Sequence, residues 1–421
     1  MESNRGTPSR SRSRSVRGTP QTLRMMNAVS RVRTSVTGRM DKLSFSDAQV
    51  SSFRLHRHHL DLRAPRGRLA GVVGDVCGVQ AQVTTMARIA LLARLRDLTV
   101  DDVGQALVRK RTIVKTWSMR GALHLLPSNE LLLYLRGLMP TRLPREQRWI
   151  QGAGLKEEET TAMILDALKN GPLTRVQLVS WLAKELGTKT KDWFDGGWGR
   201  ETLGSNTSWQ LVRPAVMRGL VCFGPSHGQE ITFTRVDEWL REPLSMPSEE
   251  KAEDALVRRH LHAFGPADAK DLWSWSGVYV RRIRVILDRL RDELVEVDMG
   301  RRRGFLLRKD LPDLEKASSE PGIVRLLPSF DPFLLGHRDR DHLVDRAHYN
   351  QVYKDQGWLA PVVLVDGRVA GTWSYQRHPR KLAVEVTMFA TFKKETRAKA
   401  KEEAYDLARF LGAPDMAIRF N

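Results

Sequence analysis

The chain of 421 residues is long enough for about three domains and a sizeable core. Apolar residues at 41% and charged residues at 28% are ordinary globular values. No run reaches the ~18–20 apolar residues of a membrane span, so an integral membrane protein is not expected. Cys77 and Cys222 stand far apart in no metal-ligand spacing, which excludes a disulfide scaffold and a zinc finger and points to a reducing, cytoplasmic setting.

Charge is the anomaly. Lys and Arg number 69 against 49 Asp and Glu, a net +20. Residues 1–44 hold ten basic residues against Glu2 and Asp41, and the other 377 residues still carry +12. The folded part is therefore basic in its own right, and its expected partner is a polyanion, nucleic acid first. The Ser-, Arg- and Gly-rich segment 1–44 has no apolar periodicity and is expected to be disordered, an accessory electrostatic arm.

Folded structure is expected from Phe45. Ser46 and Gln49 have capping-box spacing, and Phe45 with Val50 that of a hydrophobic staple. Helical periodicity runs through 83–95, with Met86, Ile89, Ala90 and Ala93 on one face and Thr84 or Thr85 as cap. A short helix over 101–110 precedes two apolar runs, Ile113–Trp117 and Ala122–Leu126, the helix-then-hairpin order of a winged helix-turn-helix. That order recurs twice. Gly171-Pro172 with Leu178 and Trp181 matches Gly265-Pro266 with Leu272 and Trp275 at identical offsets. In the second copy Ile283, Ile286, Leu287, Leu290 and Leu294 form a buried stripe, with Arg281, Arg284 and Arg291 on another face. Each copy closes in a hairpin, 220–223 with 230–234 and 294–297 with 305–307. Beyond Pro321 the Asp366-Gly367 pair marks a two-residue hairpin, strands are expected at 322–327, 361–365, 368–374 and 382–388, and a closing helix at 395–411.

The expected fold is α+β: three tandem winged helix-turn-helix units (45–150, 151–245 and 246–320) behind the tail 1–44, then a β-rich C-terminal domain (321–421).

Several residues invite a chemical reading. Arg301, Arg302 and Arg303, between Gly300 and Gly304, sit at a hairpin tip where such modules touch phosphates; the alternative is a solvated turn. His56, His58 and His59 with Arg57 suggest a metal site, but no further ligands accompany them, and a solvated basic helix face explains them more simply. The common hydrolase and nucleotide motifs are absent. Gln80-Ala81-Gln82 precedes a helix start; in an extended segment both amides share a face, although two glutamines there also serve as capping or surface residues.

Together these segments resemble a known family. Gly78-Val79-Gln80-Ala81-Gln82 with the following helix, Thr116-Trp117-Ser118-Met119-Arg120-Gly121-Ala122-Leu123-His124-Leu125, Leu326–Pro332 running into Leu335–Arg340, and 365–373 are similar to the winged-helix DNA glycosylases of the AlkZ/YcaQ type, over residues 48 to 410. Ala122 departs from the threonine common in that motif. The resemblance implies three winged helices around a concave DNA channel and excision of alkylated bases, including unhooking of interstrand crosslinks. The Gln-x-Gln form, Gln80 and Gln82, resembles the crosslink-specific, antibiotic self-resistance branch and implies these two as the catalytic pair.

The chemistry agrees with the residue types. A glutamine is too weak a base to activate water strongly, but an N7-alkylguanine or N3-alkyladenine is already cationic and departs without protonation. What remains is to orient water and stabilise an oxocarbenium sugar, for which no metal or other cofactor is needed. Arg120, His124, Arg338 and Arg340 join the Arg301–Arg303 tip as candidate DNA contacts, with a structural Arg120 and a buried His124 as the alternative. Trp117 and Asp331 are candidates for lining the site, Asp331 equally for capping a turn before Pro332. The reading is a monofunctional glycosylase for bulky or crosslinked N-alkylpurines in duplex DNA, monomeric, cytoplasmic and nucleoid-associated. The alternatives are a non-catalytic winged-helix regulator or sequestering resistance protein, and an architectural DNA binder.

Overall fold

A computed structural model describes residues 43–421 apart from 153, 188–202, 227–229, 241–244, 301, 319–321 and 355–356. The basic tail, save its last two residues, and Arg301 thus lie outside the described residues.

Helix α1 (Asp47–Arg57) is followed by α2 (Leu69–Asp75), the short strand β1 (Val79–Gln80) and α3 (Thr84–Leu92). The hairpin β2 (Ile113–Trp117) and β3 (Leu123–Pro127) leads into the long helix α4 (Leu131–Gly152). Then come α5 (Glu157–Ala167), β4 (Leu173–Thr174), α6 (Arg175–Leu186), α7 (Leu203–Met217) and the hairpin β5 (Val221–Phe223) and β6 (Thr232–Arg235). Helices α8 (Glu249–Phe264), α9 (Ala269–Ser276) and α10 (Val280–Arg289) precede the hairpin β7 (Leu294–Asp298) and β8 (Arg303–Leu307). The chain ends with β9 (Val324–Leu327), β10 (Val362–Val365), β11 (Arg368–Arg377), β12 (Lys381–Met388), α11 (Lys394–Phe410) and β13 (Asp415–Phe420). The fold is mixed α+β, and among the described residues no helix is long and apolar enough to cross a membrane.

The local signals act as their chemistry requires. Ser46 Oγ accepts from the Gln49 N–H, and the Gln49 side chain returns to Ser46, closing the capping box of α1. Of the residues paired by the Gly-Pro repeat, Leu178, Leu272 and Trp275 are buried and Trp181 is partly so. Ile283, Ile286 and Leu287 of α10 and Leu290 at its end are in the core, while Leu294, expected on the same helix, is buried as the first residue of β7. Asp366 and Gly367 both have positive φ, 48° and 81°, the backbone of the tight hairpin that joins β10 to β11.

The long-range assembly differs from a row of separate wings. Hairpins β2–β3 and β5–β6 fuse, through the Lys115–Phe223 bridge, into one six-stranded sheet in the order β1-β3-β2-β5-β6-β4. The rings of Trp117, Phe223 and Phe233, with centroids 4.9 to 6.1 Å apart, fill the junction. Helix α1 places Val50 and Phe53 against Val297, Met299 and Leu306 of the β7–β8 hairpin, some 250 residues on. The second sheet runs β9-β10-β11-β12-β13, with β13 parallel to β12. Ile89 and Ala90 of α3 share a core with Leu326, Trp373 and Val384 of that sheet and with Ala400 and Leu407 of α11. The C-terminal sheet is thus the backing of the helix that follows Gln82.

The histidine run is not one solvated face. His58 is buried between Phe264 and Phe333, while His56 contacts Asp61 at 2.9 Å and His59 contacts Asp75 at 2.8 Å. Helix α1 stops at Arg57 and His59 turns into positive φ, so the three rings diverge.

Candidate active site

The Gln-Ala-Gln segment starts in the edge strand β1 of the six-stranded sheet and leaves it in a bend at Gln82. Gly78, at φ 87°, leads into it: a Cβ there would stand 2.7 Å from Leu126 Cδ2 and 3.2 Å from the Leu125 carbonyl oxygen, in a backbone conformation that strains a side chain. Val79 pairs with Leu125 and Gln80 with His124, and the Ala81 N–H donates to the Leu123 carbonyl at 2.7 Å. Val79 and Ala81 are buried, whereas Gln80, at the end of β1, is half-buried and Gln82, in the bend just beyond the strand, is exposed. Helix α3 begins just beyond, capped at Val83 without a side-chain bond. Thr84, expected as a cap, instead accepts from Lys115 Nζ at 3.2 Å.

Behind Gln80 lies Arg120. The tight turn between β2 and β3 puts Arg120 and Gly121 at positive φ, 56° and 73°. From there Arg120 Nη2 donates to Gln80 Oε1 at 2.8 Å, and Nη1 donates to the carbonyl of Trp275 at the end of α9. Burial and the neighbouring Arg340 lower the Arg120 pKa to about 10, which leaves it charged at neutral pH. Its bond fixes the Gln80 amide with the oxygen inward and the NH2 outward. Gln82 is exposed, and its Oε1 faces the Leu123 N–H at 3.5 Å, the outer limit of a hydrogen bond. His124, across from Gln80, is buried with Nδ1 2.9 Å from the Ala122 carbonyl. Burial and Arg120 push its pKa down to about 3, so the ring is neutral, donates from Nδ1 and carries no charge toward a phosphate.

The other predicted residues are dispersed. Trp117 is buried in the aromatic junction under Arg213. Asp331 has no exposed surface; it caps the turn at the Phe333 N–H and forms a bidentate ion pair with the equally buried Arg94, at 2.6 and 2.7 Å. It fastens the end of α3 to the C-terminal domain and lines nothing. Arg302 is drawn out of the expected free tip by Asp271 of α9, 2.5 Å away. Arg303 remains 59% exposed, with Glu296 and Asp298 each at 3.8 Å. Arg338 lies over the ring of Trp273 at 5.3 Å and Arg340 over Tyr353 at 4.1 Å. Arg340 is thus the one of these arginines whose charge is felt at Arg120.

Two features escaped the sequence. Asp271 is buried yet accepts from Arg302, the Arg338 N–H and the Asp268 N–H, binding wing, helix and loop together. The Asp268-x-x-Asp271 capping spacing was its only sequence signal. The α9–α10 turn, residues 275–279, also abuts Arg120, a contact without a local signature. Among the described residues no three His, Cys, Asp or Glu side chains converge to hold a metal.

The profile of the family described as DNA glycosylase AlkZ-like matches residues 73–410. The chain belongs to the AlkZ-like DNA glycosylase family. A relative, the interstrand DNA cross-link repair glycosylase of Streptomyces sahachiroi, is 30% identical over 380 residues, 88% of this chain and 98% of its own. The solved Streptomyces sahachiroi DNA glycosylase AlkZ superposes with a TM-score of 0.76 at 28% identity, covering 90% of this chain and 100% of that one. As an AlkZ-like protein the chain is a DNA glycosylase, and DNA is its partner. The matched span contains Gln80, Gln82 and Arg120, and leaves α1 and the tail outside it.

Proposed function

We propose that this enzyme hydrolyses the N-glycosidic bond of bulky or crosslinked N-alkylpurines in duplex DNA, N7-alkylguanine foremost, in repair of or self-resistance to a DNA-alkylating natural product. The observation that carries this reading is the pair of neutral amides, Gln80 at the end of β1 and Gln82 just beyond it, with the half-buried guanidinium of Arg120 bonded to the first. The relative whose name specifies interstrand cross-link repair supports the substrate class.

The steps follow from charge. A cationic N7-alkylguanine takes the glycosidic electron pair as it leaves and becomes neutral, so no general acid is required. Positive charge passes to C1′ and O4′ of the sugar. Water adds at C1′ and releases its proton to solvent, giving an abasic site. The amide of Gln80, its oxygen held by Arg120, offers NH2 donors, and Gln82 offers an amide oxygen to the water; together they position it. Arg120 acts through Gln80 as a positioning residue.

We read the helix–hairpin blocks as three winged helix-turn-helix units over 45–150, 151–245 and 246–320, with the β-rich domain at 321–421. Arg301, Arg303, Arg338 and Arg340 are assigned to the DNA backbone, with Arg302 holding the wing through Asp271. His124 forms a neutral wall of the site. The enzyme acts as a cytoplasmic, nucleoid-associated monomer without a cofactor.

The test is excision from duplexes carrying a bulky N7-guanine adduct, N7-methylguanine or uracil, with abasic sites revealed by mild alkali. The expected outcome is release of the bulky cationic base and none of uracil. Release of uracil at a comparable rate would contradict a site built for cationic leaving groups.

A further inference from the structure

Tyr279 is out of place by the ordinary rules of folding. It occupies the N-cap of α10, where Ser, Thr, Asp or Asn would accept from the first-turn N–H groups, and it makes no side-chain cap. Its ring is 65% exposed. A lone exposed aromatic would mean little, but this one has a particular address. Gly277, two residues earlier, lies against Arg120, where a Cβ would be 3.4 Å from the Arg120 Cα. The Trp275 carbonyl, four residues earlier, holds Arg120 Nη1. The turn that carries Tyr279 is therefore bonded to the guanidinium that orients Gln80.

The surroundings suit a nucleic acid. Trp273 is 38% exposed with Arg338 over its ring. Arg281 and Arg284, on the first turns of α10, are exposed and have no carboxylate within ion-pair distance among the described residues. The remaining arginine of that turn, Arg282, is taken by Glu249 and Glu253. An exposed aromatic ring at the start of a helix whose first turns carry two exposed guanidinium groups suits a stacked base with phosphates nearby.

We propose that Tyr279 stacks in the duplex at the base step beside the lesion, and so holds open the step from which the Gln80–Gln82 face reaches the glycosidic bond. This rests on the placement of catalysis at Gln80 and Gln82. It assigns a substrate-contacting residue that the paired amides do not supply: in a fully stacked duplex C1′ of the lesion is shielded, and the unstacking must be compensated by a protein ring.

The test uses the full chain, with Tyr279→Ala and Tyr279→Phe beside wild type, on two duplexes. In one, N7-methylguanine is paired with cytosine. In the other it lies opposite a tetrahydrofuran abasic analogue, so the step is already loosened. Tyr279→Ala is expected to lose about 5- to 150-fold in single-turnover excision on the paired duplex, the equivalent of ~1–3 kcal/mol of base–aromatic stacking. On the loosened duplex its loss should fall below about threefold, and Tyr279→Phe should match wild type on both. Equal losses on the two duplexes would mean a structural role and overturn the proposal. So would an unaffected Tyr279→Ala, or a Tyr279→Phe as weak as Tyr279→Ala. Affinity for the same duplexes by fluorescence anisotropy carries the same prediction if the methylated base is not released. Failure of the glutamine reading is separate: Gln82→Ala would then excise from both duplexes, while the Tyr279 contrast would still be read in wild type.

Discussion

Arg94 and Asp331 show what a single residue contributes here. Both side chains have no solvent exposure, and two hydrogen bonds of 2.6 and 2.7 Å join them. Their mutual attraction is offset by the desolvation of two ions, so the pair itself adds little net stability. Removing one partner is different, because the other charge is stranded. Asp331→Ala is expected to destabilise the protein by about 3–5 kcal/mol, read as a lower urea midpoint, with excision per folded molecule little changed. A loss below about 1 kcal/mol would show that Arg94 finds another partner. Asp331 was legible in the sequence as a cap before Pro332, but its partner lies 237 residues away and no local pattern names it. The same holds for Arg302, whose tripeptide advertised a free cationic tip while Asp271, 31 residues earlier, claims its charge. For the Gln-Ala-Gln run an extended placement was expected on alternation, and the strand reaches only as far as Gln80, with Gln82 in the bend that leads into α3.

At the scale of elements, whatever is settled within a few residues was readable. The capping box at Ser46 and the Asp366-Gly367 turn rest on contacts between near neighbours, and the apolar stripe of α10 on helical periodicity alone. What was not readable is which surface each element chooses. Helix α1 carries an apolar face that would suit many partners; it packs Val50 and Phe53 on the β7–β8 hairpin, and the segment just before it adds a backbone bond from the Phe45 N–H to the Asp298 carbonyl, 3.0 Å. Strand β13, short and half-exposed, has no distinctive alternation; it exists because α11 returns the chain alongside β12. Strand β1, which carries Gln80, is itself two residues long and is held by its place at the sheet edge, next to Gly78 at positive φ.

The whole molecule carries a set of buried neutral histidines. His58, His124, His260, His337 and His342 all have pKa values held below the usual 6.5, with burial the first cause in each. In the unfolded chain each takes a proton near 6.5, whereas the folded protein resists protonation until about 4 at His260 and about 3 at His124. The unfolded state therefore binds more protons below 6.5, and stability must fall as pH drops through that value. Each histidine contributes about 1.4 kcal/mol of this loss per pH unit. The urea midpoint is expected to be level above pH 7 and clearly lower at pH 5.5; an unchanged midpoint at pH 5.5 would contradict the buried neutral set. The net charge of +20 was visible from composition, and it named the partner class without locating the site.

The chemistry proposed for this enzyme depends most directly on the two amides. Single-turnover excision of a bulky N7-guanine adduct should be measured for wild type, Gln80→Ala and Gln82→Ala, with affinity for the same duplex measured in parallel. Each variant is expected to lose at least about 100-fold in rate, in the range typical of a lost transition-state contact, with affinity within a few-fold of wild type. Variants that excise at the wild-type rate, or that lose binding and rate together, would contradict the placement of the chemistry on the Gln80–Gln82 face.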